Sequence, residues 1–297
     1  METINFIVNP IATYGVDGWC PDTTMLGGSE EMVVETAIRL SKRYKVTVFH
    51  NGKHGVYDGV EYKDHRDFTI GGITINVNYP QFPSGGIYWT TLDKNPDLSQ
   101  FKAVCVISKY AKMYTSVVHD SIHIVPPGYD PEQIYPGKKI ANQCFYGSSP
   151  DRGLDILLEA WPEIYKAHPD ATLLLTYGAK DIELSPGIIN LGLVDKQTMN
   201  EIYQTSQYWL YPCTGTELYC MTGVKAQVTR CWPVIIPHMA LKETVKYGTF
   251  TTADKFAEDV IETLKYGHFP HSFKYPTWDD VVNKLEKIID IVYNGSI

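Results

Sequence analysis

Three segments carry residue types and spacings that could do chemistry. In WLYPCTGTELYCMTGVKAQVTRCWPVII, residues 209–236, an apolar run of strand length enters a polar turn carrying Glu217. A helical pattern beginning near Met221 or Thr222 then leads to a second buried run. A carboxylate at the carboxyl end of a strand can accept hydrogen bonds from sugar hydroxyls or stabilise positive charge on a sugar carbon. The amides of Tyr219, Cys220 and Met221 at the helix start can hold an anionic or hydroxyl-rich ligand. A Glu that only complements the helix dipole fits the same letters. In GSSPDRG, residues 147–153, Arg152 precedes a glycine in a loop between strand and helix. There a guanidinium could reach a diphosphate, or simply occupy a surface turn. In LGGSEE, residues 26–31, paired glycines at a helix start allow close approach to a phosphate. The alternative is a tight turn with Ser29 as cap and Glu30 and Glu31 favouring the helix start.

Absent patterns remove other chemistries. No GxGxxG follows a strand, no GxxxxGK[ST] occurs, and no GxSxG nucleophile elbow is present. No two aspartates stand two apart, so a common carboxylate pair for a divalent ion is missing. His50 and His54, and His268 and His271, lie in segments broken by Gly or Pro with no third ligand nearby. They read as solvated loop histidines rather than metal ligands, and no metal is expected.

Positioning these loops requires a repeated strand, loop, helix, strand unit. TINFIVN (3–9), the MLGGSEE loop, the helical VVETAIRLSKR and KVTVFH form it once. QCFYG, SSPDRG, LDILLEAWPEIYKAH and ATLLLTYG, over 143–178, form it again. ITINV and AVCVIS read as further strands, and KYAKMYTSVV as a helix. This rhythm predicts two doubly wound α/β domains with ligands at the carboxyl ends of their strands. PPGYDPEQIYPGKK, 126–139, breaks both periodicities and is the expected boundary. TWDDVVNKLEKIIDIVY predicts a closing amphipathic helix capped by Thr277 or Asp279.

The chain has 297 residues, 44% hydrophobic and 12% aromatic, which at about 100–200 residues per domain also suggests two. Lys+Arg 26 against Asp+Glu 34 gives −8. Up to Pro136 there are 11 basic and 15 acidic residues, leaving 15 and 19, so each part carries −4. Neither has the basic excess of a nucleic-acid binder. No basic lead or spanning apolar run is visible, and six scattered cysteines form no CxxC pair. A soluble, cytoplasmic protein with free thiols is expected.

With those residues in view, the chain resembles the GT-B-fold retaining glycosyltransferases of family 4 (glycosyl transferases group 1). The likeness runs through GGSEEMVVETAIRLSKRYKVTVF, AVCVISKYAKM, IHIVPPGYD, FYGSSPDRGLDILLEAWPEI, INLGLVDKQTMNEIYQTSQYWLYP and ALKETVKYGTF, in the family's order. It implies two Rossmann-like domains facing an interdomain cleft. These would be a short acceptor-side domain at 1–130, a nucleotide-sugar donor domain at 131–277, and a C-terminal helix at 278–297 packing back on the first domain. It also implies catalytic roles for Glu217 and Arg152. Donor contacts would come from Gly27, Gly28, Ser148, Ser149, Tyr219, Cys220, Met221, Thr222 and Lys225. Arg152 falls where the family usually has a Lys, and Ser148 where it has the partner Arg. Lys225 replaces a Glu that usually holds the ribose hydroxyls, and His238-Met239-Ala240 lacks the usual Gly pair.

The implied reaction moves a sugar from a UDP- or GDP-sugar to a carbohydrate hydroxyl with retention of configuration and without a metal cofactor. The competing expectation is a nucleotide-sugar-binding protein or partner subunit with a degraded site; a GT-B-fold epimerase is a third. Acceptor contacts are expected from 51–100, where Tyr57, Tyr62, Tyr79, Tyr88 and Trp89 could stack on sugars or be packed.

Overall fold

A computed structural model describes residues 1–8, 19–21, 26–79, 85–95, 97–115, 117–177, 185–267 and 273–295. The chain divides into two compact units, Met1–Gly128 with Pro276–Ile297, and Tyr129–Tyr275.

The first unit is built on eight strands: β1 (Thr3–Val8), β2 (Lys45–His50), β3 (Gly55–Tyr57), β4 (Val60–Asp64), β5 (Ile73–Val77), β6 (Ile87–Thr90), β7 (Ala103–Val106) and β8 (Ile122–Ile124). Their spatial order is β3-β4-β2-β1-β5-β6-β7-β8. Only the β3–β4 pair is antiparallel. β1 reads as a continuous apolar run because it lies between two parallel neighbours, and Ile4, Phe6, Ile7 and Val8 are fully buried.

Helix α1 (Gly28–Leu40) follows β1, and α2 (Lys109–Tyr114) follows β7. α2 is shorter than the KYAKMYTSVV pattern predicts. Ser108 caps it by accepting from the Ala111 amide at 2.7 Å. It ends at Thr115, whose hydroxyl bonds back to the Ala111 carbonyl at 2.5 Å.

The second unit holds β9 (Ile140–Tyr146), α3 (Leu154–Ala167), β10 (Thr172–Leu175), β11 (Ile188–Asn190), α4 (Lys196–Thr205), β12 (Ser206–Tyr211), α5 (Met221–Val228), β13 (Trp232–Ile235), α6 (Leu241–Thr244), β14 (Thr249–Phe250) and α7 (Phe256–Tyr266). Its six strands run β11-β10-β9-β12-β13-β14, all parallel. Trp161, Trp209, Phe145 and Phe256 are fully buried in its core.

The chain then returns to the first unit as α8 (Trp278–Ile289). Thr277, not Asp279, is its cap: Thr277 and Asp280 exchange side chain to backbone bonds in a capping box. Asp279 instead pairs with Arg39 of α1 at 3.4 Å, and Glu286 with Arg43 at 2.7 Å. Beyond α8, the Tyr293 hydroxyl accepts from the Thr74 amide at 3.0 Å.

Each sheet has one topological switch point. In the first unit it lies between β1 and β5, from which successive strands add outward in opposite directions; in the second it lies between β9 and β12. Crevices at the carboxyl ends of strands flanking such points are where open α/β sheets bind ligands.

Candidate functional site

In the second unit the two switch-point strands end at Tyr146 and Tyr211, and the loops that follow hold most of the residues singled out in the sequence. The loop after β9 turns sharply enough to press against the end of β12. Gly153 sits at φ +87, and a Cβ there would stand 2.2 Å from the Pro212 carbonyl oxygen. Only glycine fits. The Tyr146 hydroxyl donates to the Ser149 carbonyl at 2.7 Å, and the Arg152 amide donates to the same oxygen at 3.1 Å. This turn directs the Arg152 guanidinium across to the second loop. There Nη1 donates to the Thr216 carbonyl and lies 4.0 Å from Glu217 Oε2.

Glu217 is held from several sides. Tyr211 Oη donates to Oε2 at 2.8 Å. The Glu217 amide donates to Met239 Sδ at 3.4 Å, and its carbonyl accepts from the Ala240 amide at 3.1 Å. The Tyr219 backbone and the Cys220 side chain also bond its carboxylate. The side chain is 13% exposed. Burial raises the carboxyl pKa, and the Tyr211 hydrogen bond and the Arg152 charge only partly offset it. At Arg152 the balance is opposite: burial disfavours its charge, but Glu217 and neighbouring acidic groups outweigh this and raise its pKa. Burial also pushes the Tyr211 phenol well up, with the Cys220 and Glu217 charges adding to it.

Helix α5 begins at Met221, with Cys220 Sγ accepting from the Gly223 amide at 3.4 Å as its cap. Thr222 Oγ1 donates to the Gly147 carbonyl at 3.3 Å, tying the helix start to the loop after β9. Ser148 hydrogen-bonds Tyr211. Ser148, Ser149, Arg152, Glu217, Tyr219, Cys220, Met221 and Thr222 therefore share one edge of the sheet. Lys225 lies one turn further along α5, half-buried. The arrangement can accept hydrogen bonds at a buried carboxylate, present a cation, and offer amides at a helix start to an anion.

Gly27 and Gly28 belong to the first unit. Gly27 is buried and caps α1 through its backbone, and Gly28 is the first helical residue. Ser29 is not the cap. The helix starts at Gly28, two residues earlier than a Ser29 cap would place it, and the Ser29 hydroxyl instead meets Thr91 Oγ1 at 2.8 Å.

Tyr211 was missed in the sequence, and Met239 was noted there only as a departure from the usual Gly pair. Tyr211 looks like one more apolar strand residue, and its position as the last of β12 is the available signal. Met239 takes a left-handed φ of 46, where the resemblance leads one to look for glycine.

Of the aromatics considered for an acceptor, Tyr62, Tyr88 and Trp89 are buried in the sheet, while Tyr57 and Tyr79 are half-buried. His50 is fully buried as the last residue of β2, with Nε2 3.0 Å from the Lys53 carbonyl, and is not a solvated loop residue. His268 and His271 lie outside the described residues. All six cysteines are buried, and none is in a disulfide. Among the described residues no helix is long and apolar enough to cross a membrane.

No family model matches the chain. A mannosylfructose-phosphate synthase of Agrobacterium fabrum is 22% identical over 187 residues, covering 52% of this chain and 41% of that protein. The chain thus spans about two fifths of that curated relative. A sucrose-phosphate synthase from Thermosynechococcus elongatus superposes with a TM-score of 0.73 at 12% identity, over all of both chains. Anabaena HepE, solved with UDP and glucose, superposes with a TM-score of 0.67 at 12% identity, over 98% of this chain and 100% of that one. HepE has also been solved with UDP-glucose. These neighbours are GT-B glycosyltransferases, and the fold of this chain is theirs.

Proposed function

We propose that this GT-B-fold chain is a glycosyltransferase that moves a sugar from a nucleoside diphosphate sugar to a carbohydrate hydroxyl. The observation that carries the reading is the joint placement of Arg152, Glu217 and the start of α5 at the switch point of the second unit. The HepE complexes with UDP and UDP-glucose support the same ligand class on the same fold. Arg152 and the α5 amides offset charge on the diphosphate as it leaves. Glu217 faces the sugar, accepting from its hydroxyls and favouring positive charge at the anomeric carbon.

The bond from the anomeric carbon to the diphosphate oxygen breaks, and its electron pair leaves with that oxygen. The acceptor oxygen bonds to the same face of that carbon, and its proton passes to the departing oxygen, so configuration is retained. No metal is assigned a role, in keeping with a sequence that has no aspartates two apart. Ser148 and Lys225, standing where the family has Arg and Glu, favour a second reading, a nucleotide-sugar-binding protein without turnover.

Calorimetry with UDP- and GDP-sugars, followed by product NMR with and without chelator, tests both. Binding, turnover and a retained anomer are expected. Failure to bind any donor, with Arg152→Ala and Glu217→Ala changing nothing, sinks the reading; binding without turnover or donor hydrolysis favours the second.

A further inference from the structure

The peptide that leads into Glu217 is held at both ends. The carbonyl of the Thr216–Glu217 peptide accepts from Arg152 Nη1, and its N–H donates to Met239 Sδ at 3.4 Å. A peptide is planar, so these two contacts fix one rigid unit, and the Glu217 side chain leaves from its edge. The next peptide is held as well, because the Glu217 carbonyl accepts from the Ala240 amide at 3.1 Å. Residues 239 and 240, in the turn between β13 and α6, therefore take both main-chain groups of Glu217, while Tyr211 holds its carboxylate at 2.8 Å.

Met239 fills this place in an unfavourable backbone conformation. Among the described residues, five other than glycine take a positive φ: Asp58, Asn78, Asn142, Arg230 and Met239. Asp and Asn tolerate the left-handed region because their short polar side chains can bond locally. Arg230 is exposed just beyond the end of α5, where helices commonly turn left-handed. Met239, at φ 46 and 8% exposed, is the apolar and buried member of the five. A side chain persists in this region where its surroundings over-determine it. The turn into α6 does so here: the Leu241 amide donates to the His238 carbonyl at 2.9 Å and the Lys242 amide to the Met239 carbonyl at 3.3 Å. The side chain that leaves this turn ends on the Glu217 amide. A thioether is long, polarizable and a weak acceptor, so it can meet an N–H that a hydrocarbon side chain cannot. Glycine at 239 would suit the backbone but would take that sulfur away.

We infer that Met239 is a positioning residue for sugar transfer: its sulfur, rather than its bulk, pins the Thr216–Glu217 peptide and so sets where the Glu217 carboxylate stands. The role of that carboxylate rests on the transferase reading above, whereas the pinning is a property of the folded chain alone.

The test separates acceptor from volume. Met239→Leu keeps nearly the same volume and has no acceptor. Met239→Asn gives up volume, but its Oδ1 stands at the same place along the side chain as Sδ, and it tolerates the left-handed backbone. In Met239→Leu, kcat for transfer from whichever donor binds is expected to fall about tenfold, with the donor dissociation constant, read by calorimetry, within about twofold of wild type. Solvent exchange of the Glu217 amide, read by NMR, is expected to quicken about tenfold in the same variant. Met239→Asn is expected to keep both kcat and amide exchange within about threefold of wild type. Wild-type behaviour of Met239→Leu, or losses in Met239→Asn that match or exceed those in Met239→Leu, assign Met239 to packing and overturn the inference. A loss in Met239→Leu that falls on donor affinity with kcat unchanged overturns it too. If Met239→Leu does not fold, Met239→Ala takes its place, since Ala and Asn both lose the volume and only Asn keeps an acceptor. Absence of turnover in the wild type with any donor strikes the transferase reading instead, and the amide-exchange comparison still decides this one.

Discussion

The phenol of Tyr211 donates a 2.8 Å hydrogen bond to Oε2 of Glu217, the oxygen that also stands 4.0 Å from Arg152 Nη1. The last residue of a buried strand thereby orients the carboxylate in the next loop and lowers its proton affinity, partly offsetting the effect of burial. Tyr211→Phe removes a bond that lowers the Glu217 pKa. If the ionised carboxylate is the competent form, the acid limb of the kcat/KM profile should move to higher pH. Removing a buried bond to a charged group should also cost roughly 1–3 kcal/mol of stability, read by denaturant unfolding.

Glu217 itself should make stability depend on pH. Its folded pKa is raised, chiefly by burial, so between the unfolded and folded pKa values the folded chain binds more protons than the unfolded one. Stability from this group is lost as pH rises through the folded pKa. Glu217→Gln should therefore be more stable than the wild type at neutral pH. The gap should close as pH falls toward about 4, the ordinary carboxylate range. Melting temperatures across that range check it, and a gap that widens on acidification contradicts it.

Gly153→Ala should damage both the fold and the ligand site. A side chain at φ +87 would strike the Pro212 carbonyl, and left-handed strain alone costs about 1–2 kcal/mol. Because Arg152 is the preceding residue, nucleoside diphosphate affinity should fall along with stability, measured by calorimetry on the fraction that folds.

Lys225 lies one turn into the helix whose amino end is assigned to the donor. A lysine can only donate, so it suits a phosphate rather than ribose hydroxyls. Lys225→Glu should change nucleoside diphosphate affinity or base preference without lowering the melting temperature. An unchanged dissociation constant across UDP and GDP would refute it.

The C-terminal return should matter to the first unit alone. Gly86 leaves room for Tyr293, since a Cβ there would come within 2.2 Å of Thr74 Oγ1 and 2.6 Å of the Tyr293 hydroxyl. Tyr293→Phe should cost about 1 kcal/mol and Gly86→Ala more, while nucleotide binding by folded protein stays at the wild-type value.

Local pattern was enough to place the main elements. The apolar runs that became β1, β2, β9 and β12 and the closing amphipathic helix were legible because burial leaves its mark within a few residues, although the letters left Thr277 and Asp279 both open as its cap. The loops carrying Arg152 and Glu217 were legible too, through glycines and a charged residue at strand ends. Long-range contacts were not. The bond from Tyr211 to Glu217, the left-handed Met239 behind the Glu217 amide, and the stack of His65 on Tyr79 depend on which strands become neighbours. Strand order leaves no local signature, because β1 pairs with β5 across the whole α1, β2 and β4 segment. The same reason separated the aromatics of 51–100. Sequence letters alone leave Tyr62, Tyr88, Trp89 and Tyr79 alike as candidates. Only the pairing of strands buried the first three in the sheet and left Tyr79 at its carboxyl edge.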